Sequence, residues 1–332
     1  MKRVAIIGGG SWGTALSIAL SKMGHQIRLW VYESELIPAI NEKRSNPLYL
    51  SGVSIPDSVV ATDSLEFGLE KAEIVVTAVP ANYCRRIYHE MVPYLAPKAI
   101  LVSATKGIES TSLQRMSEVM ETVISPCFQP RMAVIAGPTF AKEVARGDPT
   151  AIVVAGPDPT VNRVVQTEFS NSSLRFYTNT DIIGVELGGA VKNVIAIAAG
   201  VCVGMGFGCN TVAAVVTRGL AEITRLVVAC GGRTETMAGL AGMGDLVLTC
   251  HGELSRNRRV GIQLGKGCGL MDITAGMHTV AEGIPGTEAT LKLAARYGVE
   301  MPIVEQVNLL LHHQKNPQDA VKDLMERNLE KE

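Results

Sequence analysis

The sequence contains no C-x-x-C pair, no long run of like charge, no internal repeat and no low-complexity tract. Its seven cysteines, at 84, 127, 202, 209, 230, 250 and 268, are odd in number and scattered through apolar or glycine-rich surroundings. This argues against a secreted disulfide framework and predicts reduced, cytosolic thiols. The six histidines fall at no metal-ligand spacing with them, and the His312-His313 pair stands alone near a polar C-terminal stretch, so no metal is expected. Lysine and arginine number 31 against 32 aspartates and glutamates, a formal net charge of -1. Without a basic run, that balance argues against a nucleic-acid or polyanion surface and makes small-molecule chemistry the default. The N-terminus passes from Lys2-Arg3 into Val4-Ala5-Ile6-Ile7 and then glycines, too short an apolar segment for a secretory signal, so the expected location is cytoplasmic. The one stretch that invites a membrane reading, Val194 to Phe207, is dense in glycine and closely followed by Asn210 and Arg218. It reads as a buried helix of a protein with no membrane partner.

At 332 residues the chain exceeds the usual single-core limit, which predicts two domains. Up to about residue 177, short β-branched runs alternate with helix-length segments, the pattern of a mostly parallel sheet covered on both sides. Strands are predicted at 3–7, 27–30, 59–61, 74–78, 100–103, 132–136, 150–154 and 174–177. Helices are predicted between them at 12–23, 34–42, 82–96, 111–122, 139–146 and 159–169, the last two announced by Thr139 and by Asp158-Pro159. Beyond about 180 the strand signals stop, and helices are predicted at 184–203, 210–230, 234–241, 255–266, 272–277, 286–297 and 302–313. Pro317 opens a charged terminal helix to about Leu329. The fold class is therefore α/β: a doubly wound dinucleotide-binding domain over 1–180, then an all-helical substrate and catalytic domain over 181–332.

Gly8-Gly9-Gly10-Ser11-Trp12-Gly13 satisfies G-x-G-x-x-G directly after a strand and at the start of a helix, the context that makes this motif a Rossmann-type fingerprint. Gly8 permits the tight turn, Gly10 lets backbone reach a pyrophosphate, and Gly13 lets helix and strand pack closely. At the end of the second strand stands Glu33, placed to accept hydrogen bonds from an adenosine ribose, which favours NAD. A 2′-phosphate would prefer a cation there, yet the neighbour is Tyr32, and NADP stays open. Ligands of an open parallel sheet sit beyond the carboxyl ends of its strands. That edge also gathers Val79-Pro80, Thr105-Lys106-Gly107 and Gly137-Pro138-Thr139. Lys106 is there either a site cation or a solvated loop lysine.

In the second half, Lys192 sits in the middle of a helix that is apolar nearly all round, with Gly188, Gly189, Ile195 and Ala196 on its own face. No acid lies at a pairing distance within that helix, so its charge must be answered from elsewhere. It is either a structural lysine that snorkels or pairs at a distance, or an amine whose pKa is lowered by burial for proton exchange near neutral pH. Asp245, a lone carboxylate in the run from Gly239 to Leu246, either caps the next helix or charges and orients a lysine. Ser255-Arg256-Asn257-Arg258-Arg259 at a helix start is either a phosphate site or a solvated basic face. Glu282, in the turn Val280-Ala281-Glu282-Gly283, is either a cofactor contact or a loop acid.

Along nearly its whole length the chain resembles the bacterial-type NAD(P)-dependent glycerol-3-phosphate dehydrogenases. The motifs that carry the resemblance are Gly8-x-Gly10-Ser11-Trp12-Gly13-Thr14-Ala15, Ala104-Thr105-Lys106-Gly107 and Gly137-Pro138-Thr139-Phe140-Ala141-Lys142-Glu143. Leu187-Gly188-Gly189-Ala190-Val191-Lys192-Asn193, Gly244-Asp245-Leu246 and Ser255-Arg256-Asn257 follow in the same order. The resemblance implies that Ser11, Trp12, Lys106, Ala141, Val280 and Glu282 touch the dinucleotide. It implies that Lys106, Gly137, Thr139, Lys192, Asp245, Ser255, Arg256 and Asn257 touch the substrate, Arg256 being shared, and that Lys192 is the proton acceptor. Family members that take NADP often carry a basic residue where Tyr32 stands here.

The expected reaction is reversible hydride transfer between the nicotinamide of NAD or NADP and dihydroxyacetone phosphate, giving sn-glycerol 3-phosphate for glycerophospholipid precursors. Lys192 exchanges the proton at the C2 oxygen, Asp245 orients it, Lys106 polarises the carbonyl or steadies the phosphate, and Arg256 with Asn257 clamps the phosphate. Burial and Lys106 lower the pKa of Lys192 while Asp245 and the phosphate raise it, so sequence alone fixes no net sign. A hydroxy-acid or sugar-acid dehydrogenase and a non-catalytic dinucleotide sensor are the rival readings. The apolar helical domain suggests a homodimer.

Overall fold

Successive residues of strand β1 (Arg3–Ile7) pack to opposite faces, as the pleat dictates: Val4 and Ile6 enter one apolar cluster, Ala5 and Ile7 another. A strand buried on both faces belongs inside a helix-covered sheet. The computed structural model, which describes residues 1–277 and 281–327, contains that sheet with eight strands. After β1 come β2 (Gln26–Trp30), β3 (Val59–Thr62), β4 (Ile74–Thr77), β5 (Ile100–Ser103), β6 (Arg131–Ala136), β7 (Thr150–Ala155) and β8 (Leu174–Asn179). Their order is β3-β2-β1-β4-β5-β6-β7-β8, parallel throughout except where β7 runs antiparallel to β6. All eight predicted strands are present, and after β3 the chain crosses back to lay β4 on the other side of β1, which puts the switch point, where such sheets leave a crevice, beyond the carboxyl ends of β1 and β4.

Helix boundaries differ from the sequence reading where backbone chemistry intervenes. The helix predicted from 111 begins only at Met116, because Leu113 adopts a left-handed φ of 63° and Glu118 accepts the Arg115 N–H at 2.8 Å to set the true start. The helix predicted to 96 stops at Met91 and tightens into a single turn, Val92–Tyr94, around Pro93. The segment predicted as one helix over 234–241 is broken into Thr234–Met237 and a wide π turn, Leu240–Gly244. Two short helices, Leu65–Leu69 and Asp245–His251, are additional. The terminal helix spans Pro317–Met325 and is capped by Asn316, while Leu329 lies outside the described residues.

From Ile182 onward every element among the described residues is a helix, organised around Ile182–Gly204. Asp181 starts that helix by accepting the Gly184 N–H at 2.9 Å, and the helix is buried along most of its length. Its apolar surface is spent on the core: Val191, Val194, Ile195 and Ile197 pack with Ile223, Leu226 and Val304. Helix Arg256–Gly265 crosses it backbone to backbone, since a Cβ on Gly200 would lie 2.2 Å from the Arg258 oxygen and one on Gly261 2.0 Å from that of Ile197. The central helix also ties the two halves together. The buried Glu186 accepts the Ser117 N–H at 2.8 Å, the Ser117 hydroxyl at 2.6 Å and the Arg115 guanidinium at 2.5 Å.

Candidate active site

The edge beyond the strands faces the middle of the central helix, and three charged side chains meet there. Lys192 is 5 % exposed and donates to Asp245 Oδ1 and, at 2.7 Å, to Thr249 Oγ1. Asp245 is fully buried, and its other oxygen accepts Lys106 Nζ at 2.9 Å. Lys106, in the loop after β5, also donates to the Gly137 carbonyl at 3.0 Å and to Thr139 Oγ1 at 3.2 Å, so the loop after β6 joins the same cluster. Asp245 is the first residue of its helix and its carboxylate caps nothing. The capping alternative is thus replaced by a bridge between two lysines.

The bare face predicted beside Lys192 has a use. A Cβ on Gly189 would lie 3.8 Å from Lys106 Cγ, so the lysine stem runs over that glycine on its way to Asp245. Gly137 turns with φ of 148°, and a Cβ there would press to 3.3 Å on the Ala151 oxygen and the Ile152 Cα. Glycine is therefore what lets its carbonyl reach Lys106.

Burial pushes the Lys192 amine down to about 7 from the usual lysine value near 10.5; the Asp245 charge opposes this and the Lys106 charge adds to it. The sign left open by sequence is downward. An amine with this pKa exchanges protons readily at neutral pH.

Beside this cluster lies a polar layer. Ser255 is the N-cap of helix Arg256–Gly265 and accepts the Arg258 N–H at 3.2 Å. Asn257 gives one amide hydrogen to Asn193 Oδ1 at 2.9 Å and accepts the Gly283 N–H at 2.9 Å, leaving a second amide hydrogen. Its two partners are the residues that follow Lys192 and Glu282, so Asn257 links those two segments. Glu282 crosses to the first half, where it accepts the Ala81 N–H at the start of the helix after β4; its Oε2 would stand 3.7 Å from a Cβ on Gly107. Burial raises its carboxyl to about 7, against the pull of Arg256. Arg256 is half-buried, and burial lowers its pKa while Glu282 raises it.

The glycine loop fits a dinucleotide on three observations. Gly8 has φ of 125° and abuts the Ala78 carbonyl, whereas a Cβ on Gly13 would lie 1.9 Å from the Gly8 oxygen, so helix and strand could not pack with anything larger. Gly10 faces open space, with nothing within 4 Å of its would-be Cβ, and the buried Trp12 Nε1 has no hydrogen-bond partner among the described residues. Ser11 is turned inward, donating to the Tyr49 carbonyl at 2.6 Å. Ala141 opens the helix Ala141–Arg146 after Thr139. Glu33 accepts the Tyr49 hydroxyl at 2.6 Å, and Tyr32 is 68 % exposed beside it. Val280 lies outside the described residues.

Three residues that support the site were missed from the sequence. Thr249 lies one helical turn after Asp245, a spacing that would have revealed it had the Asp245–His251 helix been recognised. Asn46 is fully buried and donates to the Gly9 carbonyl at 2.8 Å and to Thr14 Oγ1 at 2.9 Å, holding the glycine loop from across a long loop. Neither it nor Tyr49 carries a local signal.

The chain is similar to known proteins along nearly its whole length. Residues 3–162 match the family described as NAD-dependent glycerol-3-phosphate dehydrogenase N-terminus, and residues 181–322 its C-terminus. A glycerol-3-phosphate dehydrogenase [NAD(P)+] of Koribacter versatilis is 56 % identical over 98 % of both chains. One from a Geobacter species is 48 % identical, over 100 % of this chain and 99 % of its own. The crystal structure of a glycerol-3-phosphate dehydrogenase from Coxiella burnetii superposes with a TM-score of 0.94 at 38 % identity, covering 98 % of this chain and 99 % of that one.

Proposed function

The chain belongs to the NAD-dependent glycerol-3-phosphate dehydrogenase family, and we propose that Lys192, Asp245 and Lys106 are the groups that carry its chemistry. The protein is an NAD(P)-dependent oxidoreductase of the CH–OH group, interconverting dihydroxyacetone phosphate and sn-glycerol 3-phosphate. When bound, the nicotinamide gives a hydride to C2 of the ketone or takes one from the alcohol.

The residues supply the proton and the field. In the reducing direction the Lys192 ammonium donates a proton to the C2 oxygen as that oxygen gains negative charge, and the resulting amine is reprotonated from solvent. In the reverse direction the neutral amine accepts the hydroxyl proton. Asp245 keeps Lys192 charged often enough to act as an acid and, with Thr249, fixes its direction. Lys106, held between Asp245 and Thr139, places a second positive charge toward the substrate oxygen or phosphate. Arg256, the remaining amide hydrogen of Asn257 and the N-terminus of their helix grip the phosphate, whose dianion complements both guanidinium and helix dipole. The glycine loop, Glu33, Ala141 and Glu282 hold the dinucleotide.

The observation that carries this reading is the buried bridge in which one carboxylate holds two lysines from opposite halves, with Lys192 brought near neutrality. The division near residue 180 then separates a half that holds the dinucleotide from one that carries the acid and the phosphate grip. The same reading places the protein in the cytoplasm, as a homodimer, supplying glycerophospholipid precursors. Following NADH absorbance over a panel of carbonyl compounds tests it: oxidation with dihydroxyacetone phosphate and none with 2- or 3-oxo acids is expected. Turnover of the oxo acids instead would overturn the phosphate grip, and light scattering at the monomer mass would overturn the dimer.

A further inference from the structure

Where the second strand ends, a guanidinium stands between two exposed aromatic rings. Arg86, on the helix Ala81–Met91 after β4, lies 5.8 Å from the ring centroid of Tyr32 and 5.8 Å from that of Tyr83. The two rings are 68 % and 53 % exposed, unusual for tyrosines that serve only the core. Three other arginines of this half are committed elsewhere. Arg85 is tied to Glu109 and Gln114, Arg28 lies over Phe67 and pairs with Glu70, and Arg44 pairs with Asp57 and the Val59 carbonyl. Among the described residues the one ion pair of Arg86 is a loose 3.7 Å approach to Glu90, through Nε, one turn along its own exposed helix face. Such a pair holds its arginine weakly.

We propose that Arg86 reads the 2′-phosphate of NADP, supplying from the helix after β4 the cation that Tyr32 does not supply at the end of β2. The inference rests on the dinucleotide reading above. It divides the two cofactors between two residues. Glu33, steadied by the Tyr49 hydroxyl at 2.6 Å, accepts from the free ribose hydroxyls of NAD. The Arg86 fork swings from its cation–π seat onto the extra phosphate of NADP, to which a guanidinium binds through two parallel hydrogen bonds. Tyr32 and Tyr83 keep it within reach at little entropic cost.

Dissociation constants for NADH and NADPH, measured by nucleotide fluorescence on the substrate-free protein, test the assignment. Arg86→Ala is expected to weaken NADPH roughly tenfold or more, the loss that accompanies a charge-assisted hydrogen bond, and to leave NADH within about twofold. Arg86→Lys should lie between, because an ammonium keeps the charge and loses the fork. Glu33→Gln should show the opposite preference, weakening NADH more than NADPH. Retained NADH binding in Arg86→Ala also reports that the variant is folded. Equal weakening of both nucleotides, no change in either, or a wild-type protein that binds NADH but not NADPH would each overturn the role of Arg86. A wild-type protein that binds neither would instead overturn the dinucleotide reading on which it depends.

Discussion

Lys192 and Asp245, separated by 53 residues in sequence, meet where the carboxylate is fully buried and has a second lysine on its other oxygen. When Lys192 is protonated, two cations around one anion leave a net positive charge in a place water reaches poorly. That arrangement costs stability unless an anion or a developing alkoxide completes it, which is the electrostatic signature of a site built for a charged substrate.

Removing the amine tests the proton transfer alone. Lys192→Ala is expected to lower kcat by about 10²- to 10⁴-fold, the usual contribution of a general acid, while the NADH dissociation constant stays within about twofold. Near-wild-type turnover would take Lys192 out of the mechanism.

The position of the Lys192 pKa gives the reaction opposite pH dependences in its two directions. With the free-enzyme amine near 7, kcat/KM for ketone reduction should fall as pH rises through about 7, and kcat/KM for alcohol oxidation should rise there. Asp245 holds that pKa up, so Asp245→Asn should move both limbs to lower pH as well as reduce activity. Limbs that stay in place in the variant would mean that another group titrates.

Gly10 separates folding from binding. Its φ of -66° suits any residue and a Cβ there would touch nothing within 4 Å, so Gly10→Ala should leave the melting temperature unchanged. The same methyl group would stand between the loop backbone and a pyrophosphate, and NADH should bind at least about tenfold more weakly. A variant that melts early, or binds normally, contradicts the role given to this glycine.

The sheet was legible because most of its strands are short apolar, β-branched runs separated by helix-length segments, and the glycine loop because its motif sits in a strand-turn-helix frame. Lys192 was legible as an isolated charge on an apolar helix. Asp245 was legible as a lone carboxylate able to orient a lysine, but Thr249 was not, because its helix follows a π turn that interrupts a segment reading as continuous helix, and Asn46 reaches the glycine loop from an irregular stretch. Contacts of that kind depend on tertiary placement, which neither periodicity nor capping chemistry encodes. Leu113 shows the converse limit, since a β-carbon residue at positive φ gives no warning of the break it makes.

Glu222 supplies a prediction away from the site. It lies on helix Cys209–Ala229, 2 % exposed, and accepts the N–H groups of Ile303 at 2.7 Å and Val304 at 3.3 Å, in the first turn of helix Pro302–His312. Burial raises its carboxyl to about 7 despite those two donors and the opposing charges of Arg225 and Arg327. The native protein therefore keeps this proton up to about pH 7, whereas the unfolded chain releases it near the ordinary value of 4.5. Between those limits the native state binds more protons, so stability should fall as pH rises and level off above about 7; a displacement of this size is worth about 3 kcal/mol. Glu282, also raised to about 7, adds a decline of the same sign, and Glu222→Gln isolates the part that belongs to Glu222. Calorimetric melting from pH 5 to 7.5 should show a shallower decline in Glu222→Gln than in the wild type, with the two curves closest at the acid end. Parallel curves would mean that Glu222 is already ionised in the native protein, with its helix-terminal N–H groups outweighing the cost of burial.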